Sequence, residues 1–200
     1  MAGRPMKFDR DEAVKTALEA IWRDGYRASS VKALSDRLGI TRSSFYNTFG
    51  SQDALLKEVL DVYVQRIPEA QLFAMTKDEP LAPTLTRVVR EACKIRGGDP
   101  ERRGCLAANA VAEILPAADA AGELVREISC ATQDHIEQLV MWAQERGEVA
   151  QTVDAKGVAL AIHGMIMGLN LQSKFVSGPD ELWRSARASL EGLGLFSDSA

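Results

Sequence analysis

Arg42, Ser43, Tyr46 and Asn47 fall within six consecutive positions of the stretch 29–49, SSVKALSDRLGITRSSFYNTF, and their side chains suit a nucleic-acid duplex. Arginine forks onto guanine, asparagine pairs with adenine, and serine and tyrosine hydroxyls hold phosphate oxygens. The same residue types also make an ordinary polar surface on a compact three-helix domain. Presentation separates the two readings, because a reader must stand outward on a short helix that is itself fixed. Phe45 and Phe49 are four apart and so share one helix face, which leaves Arg42, Ser43, Tyr46 and Asn47 for solvent or a ligand.

The flanking residues supply the frame. Ser29 and Ser30 are N-cap types, and Val31, Leu34 and Leu38 follow at helical spacing. Gly39 stands where a C′ residue turns left-handed, Ile40 is the apolar plug between two packed helices, and Thr41 offers the cap of a second helix over 42–49. Ahead of this unit, 9–23 forms an amphipathic helix with Ala13, Val14, Ala17, Leu18, Ile21 and Trp22 on one broad face, stopped by Gly25. Behind it, Gly50 ends the second helix and Ser51 caps a longer one, with Asp53 near its positive end.

The run 3–60, with FDRDEAV, GY, SSVKALSDRLGI, SFYNTFGS and ALL in that order, closely resembles the DNA-binding domain of TetR-type transcriptional repressors. The resemblance implies a symmetric dimer on a palindromic operator, a reading helix over 42–49, and a variable C-terminal domain that binds a small molecule and releases DNA. The expected DNA contacts are Ser30, Thr41, Arg42, Ser43, Ser44, Tyr46 and Asn47. Arg4 and Lys7 form a basic arm ahead of the first helix or, equally, a solvated terminus. Many members carry Lys at the start of the fourth helix to hold a phosphate. Here Gln52 can donate a hydrogen bond but has no charge with which to release counterions, so that contact is expected to be weaker and less sensitive to salt.

Charge is divided in the sense that this function needs. The whole chain of 200 residues carries a net charge of −4, yet residues 1–50 hold nine Lys or Arg against six Asp or Glu, so the deficit lies in the remainder. A hydrophobic content of 46% supports a proper core. No apolar run reaches bilayer length and the N-terminus has no signal-peptide core, which reads as a cytoplasmic protein. Cys93, Cys105 and Cys130 cannot all pair within one chain, which argues against a disulfide scaffold.

An enzyme is the rival class. The sequence has no Gly-rich phosphate loop after a strand, no GxSxG elbow, no HExxH pair and no CxxC. Asp11 with Glu12 and Asp78 with Glu79 read as solvated caps, and two histidines with three separated cysteines have no metal-ligand spacing. A non-enzymatic protein without cofactor is expected. A helical adaptor without specific DNA binding is the remaining alternative, distinguished by titrating DNA with the protein.

The rest of the chain reads as helical, giving an all-α protein of about nine helices: a three-helix head over 1–50 and a larger helical domain over 51–200, joined by the helix 51–67. That fourth helix runs towards Pro68, 77–83 reads as a loop, and a helix follows over 84–96. GGDPERRG at 97–104 reads as a linker. Helices are then expected over 105–115, 119–146, 153–176 and 179–193. In the first of the final pair Val158, Ala161, Ile162, Met165, Ile166 and Leu169 are apolar around much of the helix, and Gly157, Gly164 and Gly168 permit close approach. In the second, Trp183, Ala186, Leu190 and Leu193 form a stripe. Family resemblance makes this pair the dimer interface, a four-helix bundle with its symmetry mates.

An effector pocket is expected from Phe73, Val89, Cys105, Asn109, Trp142, His163, Met167 and Asn170, polar groups scattered among Met and aromatics. His163 reads as a hydrogen-bonded core residue and His135 as solvated. The segment Arg102, Arg103, Gly104, Cys105, Leu106 resembles the RGC(L) start of the sixth helix in NemR-like repressors, which sense electrophiles through a cysteine. A helix N-terminus and two adjacent arginines would favour a thiolate there; the plainer reading is that Cys105 fills a gap in the core.

Overall fold

The structure, a computed structural model, describes residues 9–115 and 119–198, and their regular structure is entirely helical. Ten helices follow in order: α1 (Arg10–Asp24), α2 (Val31–Leu38), α3 (Arg42–Phe49), α4 (Gln52–Val64), α5 (Ala70–Phe73), α6 (Leu81–Gly97), α7 (Leu106–Ile114), α8 (Ala120–Glu145), α9 (Ala155–Gln172) and α10 (Pro179–Gly192). Arg4 and Lys7 lie outside the described residues. Among the described residues no helix is long and apolar enough to cross a membrane.

Local chemistry explains most boundaries. Asp9, Ser30, Thr41, Ser51 and Asp119 each accept a backbone N–H in the first turn of the helix they precede. Gly39 closes α2 in the left-handed conformation, φ 67°, which a residue with a Cβ resists. Three expectations need correction. The fourth helix stops at Val64, and the single turn α5 follows, so there are ten helices and not nine. The helix expected from residue 84 begins at Leu81, whose free N–H finds the Glu148 carboxylate 2.8 Å away. Pro83 therefore sits in the first turn of α6, where its missing N–H costs no helix bond.

Two apolar clusters organise the chain. The first joins Leu18 and Ile21 of α1, Leu34, Phe45 and Phe49 to Leu55, Leu56 and Val59 of α4, and continues into Leu106 and Ile114 of α7 and Val125 of α8. The second holds Leu85, Val88 and Val89 of α6, Leu139 and Val140 of α8, Ile162 and Leu169 of α9, and Leu182, Ala186 and Leu190 of α10. The 26-residue α8, about 39 Å long, runs through both. Ala186 and Leu190 are fully buried inside one chain, while Trp183 and Leu193 of the same stripe are half-buried against the second cluster. On α9 the outcome is divided: Ile162 and Leu169 point inward, while Leu160 and Leu171 are exposed, with Phe175 just beyond the helix.

The α6–α10 contact depends on one missing side chain. A Cβ at Gly97 would lie 2.6 Å from Pro179 Cα, a backbone clash that no rotamer relieves. Gly97→Ala is therefore expected to destabilise the chain by about 1–3 kcal/mol in urea denaturation. Gly192→Ala, with nothing within 4 Å, serves as the neutral comparison. Equal midpoints for the two variants would show that α10 does not seat on Gly97.

Candidate functional site

α3 carries its side chains as the spacing requires. Phe45 is fully buried and Phe49 nearly so, their ring centroids 5.2 Å apart. Tyr46 is 52% exposed and stands edge-on to Phe45. Arg42, Ser43 and Asn47 are exposed, and among the described residues Arg42 and Asn47 have no ion pair or side-chain hydrogen bond. At the start of the helix Thr41 Oγ1 accepts from Ser44 N and lies 3.0 Å from Ser43 Oγ and 2.9 Å from Ser44 Oγ. Ser30 is exposed and caps α2 through Ala33 N. These hydroxyls are oriented by capping, and each keeps further capacity for an outside partner.

Gln52 has an internal task that its position does not announce: its Nε2 donates to Tyr26 O at 2.9 Å. The Tyr26 hydroxyl donates to Asp53, and burial, followed by that carboxylate, pushes the phenol above its ordinary pKa and keeps it a donor. The turn after α1 is thus held from α4. It is also held from α7, because the Glu113 carboxylate accepts from Tyr26 N at 3.0 Å and from Arg27 N at 2.8 Å. Gly25, φ 90°, gives it room: a Cβ there would meet Glu113 Oε2 at 3.0 Å.

Further along the same first cluster lies a cavity of about 90 Å³. Its wall includes Leu60 and Val64 of α4, Phe73, Cys105, Val111 of α7, Ile128 and Ile136 of α8, and His163 and Met167 of α9. Of the eight residues expected at an effector pocket, the structure brings Phe73, Cys105, His163 and Met167 together here. Val89, Asn109, Trp142 and Asn170 are not on this wall. Val89 faces the α6–α10 core, and Trp142 packs against the same second cluster. The two asparagines serve backbone: Asn109 Nδ2 donates to Arg103 O at 2.8 Å, and Asn170 Oδ1 accepts the Cys105 N–H that opens α7.

The histidines part from their sequence reading in one case. His135 is half-buried: its Nε2 is 2.9 Å from Leu72 O, and its ring stacks on Phe73 at 5.1 Å. His163 Nδ1 lies 3.2 Å from Gln133 Nε2, and burial lowers its pKa.

Cys105 borders the cavity but is not flanked as its neighbours in sequence suggest. Arg103 is committed to Asp99 and Glu101 at 3.1 Å and Glu19 at 3.0 Å, and stacks over Trp22 at 4.1 Å; Arg102 is exposed. The Arg96 guanidinium of α6 lies near both Cys105 and Tyr63. Burial, and then the nearby Cys105, raise the pKa of the Tyr63 hydroxyl. Cys93 is buried elsewhere, its pKa pushed up to about 12 by burial, and Cys130 is exposed. The segment 97–104, expected as a linker, is pinned: Trp22 Nε1 donates to Gly104 O and Lys174 to Arg103 O.

Residues that the sequence did not signal complete the site. Glu69, in the cavity wall, is paired with Arg96 at 2.5 Å, and both side chains are more than nine-tenths buried. Charged residues are read as solvated by default, and a pair 27 positions apart has no periodic signature. Glu113 was equally silent. Among the described residues no cluster of His, Cys, Asp and Glu is placed to hold a metal.

Comparison with known proteins agrees with this geometry. Residues 13–59 match the family model described as bacterial regulatory proteins, tetR family, and residues 82–189 match the tetracyclin repressor-like C-terminal domain. The transcriptional repressor ComR of Escherichia coli K12 is 26% identical over 193 residues, covering 94% of this chain and 90% of its own. The repressor BdcR of the same organism is 33% identical over 106 residues, about half of each chain. Among solved structures, a cysteine-substituted CifR complexed with 26-base-pair operator DNA superposes with a TM-score of 0.80 at 23% identity, covering 94% of this chain and 98% of that one.

The burial of His163 has a consequence for stability. Its folded-state pKa lies below the ordinary 6.5, so as pH falls through that value the unfolded chain takes up a proton that the folded chain resists. Stability contributed by the neutral ring is therefore present above about pH 6.5 and declines below it. His163→Gln is expected to lose less stability than the wild type between about pH 7.5 and about pH 5.5 in urea titrations. Parallel losses would show that this ring is not linked to folding.

Proposed function

This chain belongs to the TetR family of DNA-binding transcriptional regulators, and we propose that it is a repressor that binds a palindromic operator as a homodimer and leaves it when a small molecule or a cysteine adduct occupies the cavity. The observation that carries the reading is α3 itself: a capped helix locked by Phe45 and Phe49 that holds Arg42, Ser43, Tyr46 and Asn47 outward. In this reading residues 1–50 are the reading head, and α3 enters the major groove. Ser30, Thr41, Ser44 and Gln52 then contact the backbone, with Arg4 and Lys7 as the arm. Residues 51–200 supply the effector site and the subunit interface. The curated relatives ComR and BdcR are repressors, and the CifR structure holds operator DNA; both support the assignment.

The outer face of α9 supports the dimer. Leu160 and Leu171 are exposed there, and a Cβ at Gly164 or Gly168 would meet nothing within 4 Å. Pairing of α9 with its symmetry mate, flanked by α10, would bury this face and set two reading helices one DNA turn apart, roughly 34–36 Å. Release follows from α7. Val111 lines the cavity and Glu113, half a turn on, grips the turn after α1, so an occupant that displaces α7 also displaces the head. Cys105, at the start of the same helix, is where an electrophile in the cavity would bond.

Titration of labelled DNA from the region upstream of the protein's own gene tests the reading. Sequence-specific, salt-dependent binding is expected, and its absence at low salt would favour a helical adaptor. Tyr46→Ala and Arg42→Ala are each expected to weaken operator binding by about 5- to 150-fold, with the oligomeric state and melting temperature unchanged. Dissociation or unfolding of either variant would instead mark that residue as structural. Glu113→Ala removes the acceptor of two backbone amides, and hydrogen exchange at Tyr26 and Arg27 should accelerate. Continued protection of those amides would show that α7 does not hold the turn.

A further inference from the structure

The Glu69 carboxylate is only half satisfied. Oε1 accepts from Arg96 Nη2 at 2.5 Å, while Oε2, buried, has no hydrogen-bond partner. A buried carboxylate oxygen without a donor is costly, and native interiors rarely leave one so unless a partner arrives from outside the chain. Glu69 belongs to the cavity wall, where Ser129, Thr132, His135 and His163 each make a hydrogen bond within the chain: Ser129 with Val125 O, Thr132 with Ile128 O, His135 with Leu72 O and His163 with Gln133. The remainder of the wall is apolar, with Leu60, Val64, Leu72, Phe73, Ile136 and Met167 around it.

From this we infer that the cavity takes a small neutral hydrogen-bond donor on an apolar body, a short-chain alcohol or a one-ring phenol, with its hydroxyl on Glu69 Oε2. The inference rests on reading the cavity as the effector site and adds the chemical class of the effector. Neutrality follows from Arg96, which already balances the carboxylate; an ammonium group would bring an unbalanced charge into an apolar wall. Size follows from volume. Apolar cavities of roughly 150 Å³ hold benzene, so about 90 Å³ excludes fused rings and admits one ring only with slight movement of the wall. The stacked Phe73 and His135 rings give such a ring an aromatic surface to lie against.

Direct binding without DNA tests the inference, with phenol, toluene and benzylamine as probes in calorimetric titrations of the full chain. The wild type is expected to bind phenol about tenfold or more tightly than toluene, as a hydrogen bond to a charged acceptor requires. The double variant Glu69→Leu/Arg96→Met replaces the ion pair by apolar groups, a change that folded proteins commonly tolerate, and should bind toluene at least as tightly as phenol. Glu69→Gln, which keeps an acceptor, should retain part of the preference for phenol. Equal affinity of the wild type for phenol and toluene, binding of neither at millimolar concentration, tighter binding of benzylamine, or an unchanged phenol preference in the double variant would each overturn the assignment. Because no operator is present, those failures are separate from a failure to bind DNA.

Discussion

Two backbone amides held by one carboxylate make the head and the body of this molecule a single mechanical unit. Tyr26 N and Arg27 N sit in the turn that aims α2 and α3, and Glu113 on α7 accepts from both. A carboxylate held by two donors at once cannot swivel and keep both, so a displacement of α7 must move the turn or break charge-assisted bonds worth about 1.5–3 kcal/mol each. Gln52 and Asp53 grip the same Tyr26 from α4. The shared apolar cluster reinforces the junction: Ile114 of α7 packs in the same core as Phe45 and Phe49. The reading helix is therefore positioned by contacts that begin at the cavity wall.

The buried pair of Glu69 and Arg96 constrains that wall in a different way. Two charges taken out of water gain from their mutual attraction roughly what they lose in hydration, so the pair adds little to stability and its presence calls for another role. Its geometry supplies one. The pair joins the region between α4 and α5 to α6, with Tyr63 and Cys105 within reach of the same guanidinium. Polar groups thus interrupt a largely apolar wall, which is how a pocket fixes the orientation of an occupant without binding it strongly through charge.

What could be read in advance was what is encoded locally. The caps at Ser30, Thr41 and Ser51, the left-handed Gly39 and the four-residue spacing of Phe45 and Phe49 lie within one helical turn of the features they control. The all-α class and the boundaries of α1–α3 followed from them. The single turn α5 escaped because four residues are too few to show a period, and α6 began early because its first amide is capped by Glu148, 67 residues away. At the site the same division holds. Tyr46 and Arg42 were legible from α3 alone, whereas Glu69, Arg96 and Glu113 act through partners 27 to 87 residues distant. Asn109 and Asn170 misled because a buried asparagine satisfies a backbone amide or carbonyl as readily as a ligand.

α9 shows how one helix can tie occupancy of the cavity to the geometry of an assembly. Of its residues, His163 and Ile166 contribute to the cavity wall, Met167 reaches the same wall from the edge of the outer side, and Asn170 accepts the backbone N–H that starts α7. Its outer side carries Leu160, Gly164 and Leu171, open in the single chain. A helix packed on both sides, as α9 would be in the proposed dimer, does not bend freely, because close-packed interiors transmit displacement instead of absorbing it. In the proposed dimer an occupant that presses on Met167 would therefore shift the outer face, and the twofold axis would repeat that shift in the second subunit. In that proposed assembly small displacements at the cavity would become changes in the separation of two reading helices.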